Sequence, residues 1–579
     1  MTPLRSRLVC FLPRAACVVA LLAFASQGLS ETPREESSRN FEKTVPLAAG
    51  QKLSIEHRNG DIRVTTHREP RVEIRAAIRV SSSDREGAAT FASGIRIEVE
   101  PIGDGVSVRT VYPEKNWHFE GRGFISFSVT YDILMPETSP LYVRNRFGDV
   151  SVAGLKAPSE IGNSNGRVAF RNGRGKQRLE NSFGPVELAG NAGEATVVNS
   201  NGAVIASDVD GDLEIRNRFG AVSATRVGKR CLVTDSNGDV LLADVTGEAT
   251  VTSSFGSVEI RNAGGNLRVQ NSNGSVAVTG VAGRAELSTS FGSLSFSDVR
   301  KGVNATGTNS QVSGRKVPEN VEIRNTFGGV ELSEIGGSVD VENTNGKIRV
   351  RDVKGGARLV NRFGEIDASG VGGDATVSNS NSGVTLVNVD GSADVRNSFG
   401  DVHVTRVKKG AKIVSGNGRV NLADVGGAGY VKTSFGLVEA AGIAGDLTVE
   451  NSNAAVHAAD VQGSASVRTS FASVALEGIA GAVEVDSQNG SVEVRRLAAA
   501  AGGCQRVAVK TSFAPILVAL PENSSYTVNA RTSFGKIRSE IPIAASGTIS
   551  EESLTGKIGD GRCELTLHNN NGNIEIARR

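Results

Sequence analysis

Two marker residues recur along most of the chain at a fixed period, and this period constrains the fold more than any other feature. A Phe returns every 36 residues, and an Asn returns every 36 residues at positions offset by 18 from the Phe series. The Phe positions are Phe147, Phe183, Phe219, Phe255, Phe291, Phe327, Phe363, Phe399, Phe435 and Phe471. The Asn positions are Asn165, Asn201, Asn237, Asn273, Asn309, Asn345, Asn381, Asn417, Asn453 and Asn489. Such a gapless period indicates one structural unit stacked many times.

Each 18-residue unit divides into two halves of nine residues. In the unit that begins at Asn201, Gly202 and Gly211 lie nine residues apart, and an apolar pair such as Leu213 and Ile215 follows each glycine. Apolar residues two positions apart are typical of a β-strand and not of a helix. Each half is therefore predicted to be a short strand with a bend, where glycine supplies a positive φ.

Strands this short cannot bury an apolar face alone, but stacked units can. The predicted fold is all-β: a parallel β-solenoid, or β-helix, of about twenty 18-residue coils around ladders of Val, Leu, Ile and Ala. Coils about 4.8 Å apart would form a rod of roughly 95 Å. The composition agrees, because 39% hydrophobic residues exclude disorder and 69 glycines fit a regular series of bends.

The alternation of Phe and Asn allows two coil sizes. Either 18 residues form one coil and Phe occurs at every second level, or 36 residues form one wide coil with Phe and Asn ladders on opposite sides. The 18-residue coil is favoured, because Val and Ala would fill the large cross-section of a 36-residue coil poorly.

A second Asn often stands two residues before the marker. These residues are Asn145, Asn163, Asn181, Asn199, Asn217, Asn271, Asn325, Asn343, Asn361, Asn379, Asn397 and Asn451. Side-chain amides stacked at a corner can hydrogen-bond along the rod and to the backbone of the bend. We therefore predict that these residues form an asparagine ladder with a structural role.

The ends of the chain leave the 18-residue register. Residues 42–140 are predicted to form a β-rich N-terminal cap, because the open end of a solenoid exposes unpaired strands. The regular solenoid is assigned to residues 141–497, and irregular C-terminal coils with a cap to residues 498–579. Residues 31–41 are expected to be a linker.

The first thirty residues resemble a secretory signal peptide. Arg5, Arg7 and Arg14 precede an apolar run over residues 15–25, which ends in a possible cleavage motif, and the alternative is an uncleaved anchor. Without these residues, the chain has 61 basic side chains (64 − 3) and 62 acidic ones, which gives a net charge near −1. We therefore expect export to the periplasm, cell surface or medium, no nucleic-acid partner, and no stable membrane insertion after cleavage.

Three cysteines remain after the signal peptide. Cys504 and Cys563 lie in the less regular C-terminal part and are the favoured pair for a disulfide, which export would permit. The alternative is that these two cysteines and Cys231 are buried free thiols.

Several motifs together resemble the DUF4097 family of bacterial β-strand-repeat proteins, which are described as adhesin-like. The matching segments are residues 57–64 (HRNGDIRV), 131–136 (YDILMP), 554–561 (LTGKIGDG) and 571–576 (NGNIEI), together with the Asn-Gly and Phe-Gly repeats. The resemblance covers nearly the whole mature chain. It implies an exported protein of the envelope or surface with no established catalytic residues.

Residues with metal-binding or catalytic chemistry are scattered. The six histidines are expected to be solvated, and His403 and His457 lie three coils apart, too far to share a metal. An Asp recurs at equivalent positions of alternate coils, and such a row could bind Ca²⁺ or a sugar or could cap bends and form surface ion pairs. The row comprises Asp208, Asp244, Asp352, Asp424 and Asp460. Bend capping is favoured, and neither a metal nor a cofactor is predicted.

Three functions remain open. The first and favoured one is a non-enzymatic, adhesin-like rod that contacts a protein or glycan partner at the envelope or surface, because repeated surface rows suit many weak contacts. The second is a carbohydrate-binding or carbohydrate-cleaving β-helix, although the twenty units carry no insertions that could build a catalytic cleft. In the third, residues 42–140, which include Trp117, bind the partner, and the rod is a spacer.

Overall fold

The computed structural model describes residues 35–113, 125–497, 504–546 and 550–579. The fold is all-β, with 68% of residues in strands and 2% in helix. The predicted signal peptide, Trp117 and His118 lie outside the described residues. Within the described residues, no helix has the length and apolar character needed to cross a membrane.

The N-terminal region contains seven strands and one helix. Their bounds are β1 Glu35–Pro46, β2 Lys52–Glu56, β3 Ile62–His67, β4 Arg71–Ser82, α1 Arg85–Gly94, β5 Arg96–Ile102, β6 Gly105–Val111 and β7 Ile125–Pro136. β1 pairs antiparallel with β4 along its whole length, so most of the expected linker is an ordered edge strand. β4 in turn pairs antiparallel with β7.

Helix α1 was not predicted from the sequence. Asp84 caps it by accepting a hydrogen bond from the backbone N–H of Glu86 at 3.1 Å. Its buried residues include Phe91, whose ring lies 5.0 Å from that of Phe127 on β7. The helix therefore adds apolar cover to the antiparallel strands at this end of the rod.

The stacking of coils begins inside the predicted cap. β2 and β3 form one coil, and they pair in parallel on one side with β6 and β7. On the other side they pair with Leu141–Phe147 and Val150–Ala153, the first regular coil. The coil of residues 52–67 thus lies between two coils formed later in the sequence.

Most regular coils consist of two strands. The first strands are Leu141–Phe147, Ser159–Asn165, Gln177–Phe183, Ala195–Asn201, Leu213–Phe219, Cys231–Asn237, Ala249–Phe255, Leu267–Asn273, Val321–Phe327, Val339–Asn345, Ala357–Val360, Ala375–Asn381, Ala393–Phe399, Ala411–Asn417, Gly429–Thr433, Leu447–Asn451, Ala465–Thr469 and Val483–Ser487. The second strands are Val150–Ala153, Val168–Arg174, Val186–Ala192, Val204–Val209, Val222–Val227, Val240–Val245, Val258–Ala263, Val276–Val281, Val330–Ile335, Ile348–Val353, Ile366–Val371, Val384–Val389, Val402–Val407, Val420–Val425, Val438–Ile443, Val456–Val461, Val474–Ile479 and Val492–Arg495. In two coils the strands merge into Ala285–Val299 and Val303–Val317.

The register confirms the 18-residue coil. Val204 pairs in parallel with Val186 in the coil before and with Val222 in the coil after, each 18 residues away. The 36-residue coil is therefore wrong. The fold class predicted from the period, a parallel β-solenoid of about twenty coils, is confirmed.

The core consists of ladders of identical or similar apolar residues. Val204, Val222, Val240 and Val258 stack directly on one another, and each is at most 1% exposed. Their burial removes apolar surface from water at every level, which is the main stabilising contribution in such a rod.

Glycine is required where neighbouring bends touch. Gly184 has φ +119°, and a Cβ atom on it would lie 2.2 Å from the carbonyl oxygen of Gly166 in the preceding coil. A side chain at this position would therefore be strained and would also push the coils apart.

The C-terminal strands do not stack in chain order. They are Val507–Thr511, Ile516–Leu520, Tyr526–Arg531, Ile537–Ser539, Ala544–Ala545, Ser553–Ile558, Cys563–Asn569 and Ile574–Arg578. The last two form a coil between the coil of residues 507–520 and the strands of residues 526–539. Cys504 and Cys563 form a disulfide with a Cα–Cα distance of 6.0 Å, and Cys231 is free and buried.

Candidate interaction surfaces

The Phe and Asn markers form a single exposed row at the bend between the first and second strands, which we name the Phe-Asn row. Most markers pair with the marker of the next coil, as Asn201 does with Phe219. The alternation continues beyond the regular coils, since Asn59 pairs with Phe147 and Phe534 pairs with Asn571. The row therefore spans the rod from the N-terminal coil to the C-terminal strands.

The phenylalanines of this row are most of the large apolar side chains that are exposed in the described part of the chain. Of the fourteen large apolar side chains that are exposed among the described residues, twelve belong to the row, and the others are Ile102 and Ile205. The exposed fraction of these Phe side chains ranges from 42% at Phe147 to 74% at Phe534. The twelve are Phe147, Phe183, Phe219, Phe255, Phe291, Phe327, Phe363, Phe399, Phe435, Phe471, Phe513 and Phe534.

The predicted asparagine ladder lies beneath the Phe-Asn row. Asn361 is 3% exposed and donates from Nδ2 to the carbonyl oxygens of Gly346 at 2.8 Å and Gly364 at 3.0 Å. Asn181 makes the same two bonds to Gly166 and Gly184. The buried amides thus satisfy backbone carbonyls of their own bend and of the bend one coil earlier, and this is a structural role.

The recurring Asp positions belong to a second row, which we name the left-handed row. In every regular coil, one residue in or directly after the second strand has φ between 49° and 80°. Every non-glycine residue with positive φ among the described residues lies here, namely Asn172, Asp208, Arg226, Asp244, Asn262, Asp298, Lys316, Glu334, Asp352, Asn388, Arg406, Asp424, Asp460 and Arg496. The glycine members are Gly154, Gly190, Gly280, Gly370, Gly442 and Gly478.

The left-handed residue interrupts the alternation of inward and outward side chains at the same place in successive coils. In Val204–Val209, Ser207 and Asp208 both point outward in succession, and Val209 returns to the core. Asp and Asn tolerate this conformation better than other non-glycine residues, which explains their frequency in the row. The sequence pattern showed the Asp residues but not the backbone geometry that selects them.

Side chains of the left-handed row contact one another between coils. Arg226 makes two hydrogen bonds to Asp208, at 2.6 Å and 2.8 Å, and Asn262 donates to Asp244 at 2.8 Å. The Arg226 guanidinium lowers the pKa of Asp208 below its usual value. No cluster of three or more His, Cys, Asp or Glu residues with metal-binding geometry occurs in the described part of the chain.

A long shallow groove follows the left-handed row. It runs from Asp244 to Asn388, eight coil repeats apart (144/18), and has a volume of about 1430 Å³. One wall carries left-handed residues such as Glu334 and Asp352, and the other carries residues of the following bend such as Lys354. Buried residues such as Val353 line the floor.

The groups with strongly shifted pKa values are buried and lie away from this groove. Burial lowers the pKa of His57 to about 4, raises that of Cys231 to about 12 and raises that of Asp235 to about 6. His57 is 8% exposed and its Nδ1 lies 2.9 Å from the Thr110 hydroxyl, so the expectation that every histidine is solvated was wrong for His57. These side chains are parts of the core.

The fold and the two rows define a class: a capped, two-strand parallel β-solenoid with repeated surface positions. No protein family model and no curated protein matches the chain. A crystal structure described as a putative cell adhesion protein from Clostridium sporogenes is similar over 40% of this chain and 100% of that chain, with 9% identity and a TM-score of 0.16. A likeness at that TM-score supports no argument about function.

Proposed function

We propose that this protein is an exported, non-enzymatic, adhesin-like rod of the bacterial envelope or surface, and that it belongs to the DUF4097 family. One observation carries this proposal. About twenty coils present the same outward positions at every level, without an insertion that breaks the series. Such a surface offers many equivalent weak contacts along one axis, and their sum gives strong attachment only to a partner that is itself extended or clustered.

The distribution of reactive groups supports a binding role over catalysis. The left-handed row places acids beside bases, as in the Asp208–Arg226 pair, where the guanidinium lowers the pKa of the Asp208 carboxyl. General acid catalysis by a carboxyl group requires the opposite, a raised pKa in an accessible site. Asp235 does have a raised pKa, but its side chain is buried beneath the bend.

The first experiment tests export. Cells that express the full chain are fractionated and treated with protease from outside, and a variant without residues 1–30 is the control. The proposal predicts that the full chain is found in the envelope, surface or medium fraction and the shortened chain in the cytosol. Retention of the full chain in the cytosol would contradict the proposal.

The second experiment tests multivalent binding. Deleting residues 213–284 removes 72 residues, or four coils (72/18), and preserves the register and the Phe and Asn alternation. The full and shortened chains are compared on a glycan array and on immobilised extracellular-matrix proteins. The proposal predicts at least a tenfold loss of apparent affinity with the shorter rod, since avidity depends on the number of contacts. Equal affinity would indicate one local site, and release of new reducing ends from a glycan would indicate an enzyme.

The groove along the left-handed row favours a second candidate, the binding of an extended carbohydrate. Its eight-repeat length corresponds to roughly 38 Å at about 4.8 Å per coil, far longer than a monosaccharide requires. Glu334→Ala and Asp352→Ala alter its wall, and Asp460→Ala alters an equivalent residue beyond it. Loss of glycan binding only in the first two variants would support this candidate, and unchanged binding in all three would exclude it.

A further inference from the structure

The Phe-Asn row carries an exposed aromatic ring at every second level along one edge of the rod. Its twelve Phe side chains are between 42% and 74% exposed, and apolar groups repeated along one edge mark a surface that another molecule can cover. A Phe side chain has roughly 200 Å² of surface, so half-exposed rings contribute roughly 100 Å² each and about 1,200 Å² together. This exceeds the roughly 800 Å² that each partner of a stable protein complex buries.

The residues that directly precede the markers carry few charges. The residue before the marker is Ser or Thr at most levels, and a charged residue occurs there only as Arg58, Arg146, Arg218 and Arg362. The last three arginines each lie over the neighbouring Phe ring, 5.3–5.5 Å from its centroid. Depletion of charge with retention of arginine and aromatic residues is typical of protein–protein interfaces.

The spacing along the row restricts what can cover it. Phe occupies alternate coils, so successive rings are about 9.6 Å apart, twice the spacing of about 4.8 Å between paired strands. A third ring inserted midway would lie about 4.8 Å from both neighbours, within the roughly 4.5–7 Å that aromatic pairs prefer.

The intervening Asn leaves that gap open. Its side chain is short and turns toward the rod, as shown by Asn165 and Asn453, whose Nδ2 atoms donate to the backbone of the preceding coil at 3.2 Å. A partner that fills these gaps must itself present apolar groups about 9.6 Å apart over roughly 110 Å, the span of 23 coil intervals. The same row on another copy of this chain has that period.

The order of the markers also fixes the orientation. The row starts with Asn59, proceeds through Phe147 to Asn489, and ends with Phe513, Asn571 and Phe534. Within the described residues it therefore has 24 levels, twelve Asn alternating with twelve Phe. When two such rows overlap fully in opposite directions, every Phe faces an Asn, because the first level is Asn and the last is Phe. A twofold axis relates the two rods, so the contact is closed and self-complementary.

We propose that two copies of this chain associate antiparallel through the Phe-Asn row, with the Phe rings of each rod inserted opposite the Asn residues of the other. This dimer lies at the bend opposite the left-handed row and leaves the groove free. It depends neither on export nor on an external ligand, so it can be tested separately from the proposed function.

The first test measures self-association of purified residues 31–579 by sedimentation velocity over a concentration series. The test variant carries Phe255→Ser, Phe291→Ser, Phe327→Ser and Phe363→Ser, which lie near the middle of the row. The control is Ile205→Ser, because Ile205 is an exposed apolar residue on a strand and outside the row. The substituted side chains are exposed, and circular dichroism verifies that each variant keeps its β-structure.

The expected result is a dimer for the unsubstituted chain and the control, and dimerisation at least 100-fold weaker for the four-site variant. A chain that stays monomeric at about 100 µM, well above the dissociation constant of a stable complex, would overturn the proposal. A four-site variant with unchanged dimerisation would also overturn it.

The second test measures orientation with spin labels on single cysteines. Asn345→Cys lies next to the centre of the row, so the antiparallel dimer places its two labels close together. Asn201→Cys lies eight coils away (144/18), and the same dimer places its two labels roughly 70 Å apart. Short distances at both positions would show parallel rods and would overturn the proposal. Cys231 is buried and Cys504 is disulfide-bonded, so neither should react with the label.

Discussion

Asp235 occupies a position where most other coils place the buried asparagine, and replacing it should stabilise the rod. Its side chain is 2% exposed. At equivalent levels, such as that of Asn181, the Asn donates hydrogen bonds to two glycine carbonyls. The corresponding carbonyls beside Asp235 are those of Gly220 and Gly238. An ionised carboxylate cannot donate to either carbonyl. Neither carboxylate oxygen has a hydrogen-bond partner of good geometry within the described residues.

The size of the effect follows from the pKa. Burial raises the pKa of Asp235 from 3.8 to about 6, while Asn217 and the Ser236 amide reduce this increase only in part. Each pKa unit corresponds to about 1.4 kcal/mol, so ionisation costs the folded state about 3 kcal/mol at neutral pH. Because the folded-state pKa is the higher one, the folded state retains the proton that the unfolded chain loses. The cost is therefore absent below pH 4, grows between pH 4 and 6, and is complete above pH 6.

The assay is hydrogen exchange of the strand Cys231–Asn237 in the original chain and in Asp235→Asn. Local exchange is preferable to a melting temperature, because long repeat arrays do not unfold as one two-state unit. At pH 7.5 the substitution should slow the amide hydrogen exchange that occurs through local opening of this strand by about 100-fold, after correction for the intrinsic exchange rate. At pH 4 the two proteins should differ much less.

Asp239→Asn is the matched control. Asp239 lies four residues further on, is exposed, and accepts hydrogen bonds from the backbone and hydroxyl of Ser257, which lower its pKa. Replacing Asp239 should not slow the hydrogen exchange of this strand at neutral pH. Equal protection from Asp235→Asn at pH 4 and pH 7.5 would refute the argument from ionisation, and so would no protection at either pH.

Three further predictions concern structural contacts. Asn361→Ala should destabilise its coil by about 2 kcal/mol, because two buried carbonyls lose their hydrogen-bond donor. Asn381→Ala, in the exposed Phe-Asn row, should destabilise its coil by less than about 1 kcal/mol. Hydrogen exchange measures both effects. Gly184→Ala should cost about 1–3 kcal/mol through strain and the clash with the preceding bend, measured as loss of protection in both coils. Reducing the Cys504–Cys563 disulfide, which closes a 59-residue separation, should destabilise the C-terminal strands by about 4 kcal/mol, with unchanged exchange in the central coils.

The sequence was sufficient to predict the coil because the same information is repeated at every level. A single pair such as Leu213 and Ile215 gives a weak strand signal, but twenty copies in register exclude other periods. The coil size followed from packing, since the small residues of the core suit a narrow cross-section. The buried asparagines were also predicted, although their amides bind glycine carbonyls and no bond between the amides of successive levels is observed at Asn181 or Asn361.

The ends and the surface were less accessible to sequence reasoning. Helix α1 has one capping residue and three buried side chains, too little periodicity to identify within a strand-rich segment. The intercalated coils depend on pairing between residues far apart in the sequence, such as Leu53 with Leu141, which no local pattern reports. The left-handed conformation at Asp208 was missed because the nearby residues Ala206 and Val209 still look like a strand when read alone.

The out-of-order stacking at both ends affects how the rod would carry load. In a simple solenoid the terminal residues belong to the outermost coils, and a pull on them peels the stack one layer at a time. Here the coil of residues 52–67 and the coil of residues 563–578 each have a hydrogen-bonded neighbour on both sides. Tension applied at the C-terminal coil therefore shears strands on both of its sides at once, whereas tension at the N-terminal end first loads the edge strand β1, which pairs with β4.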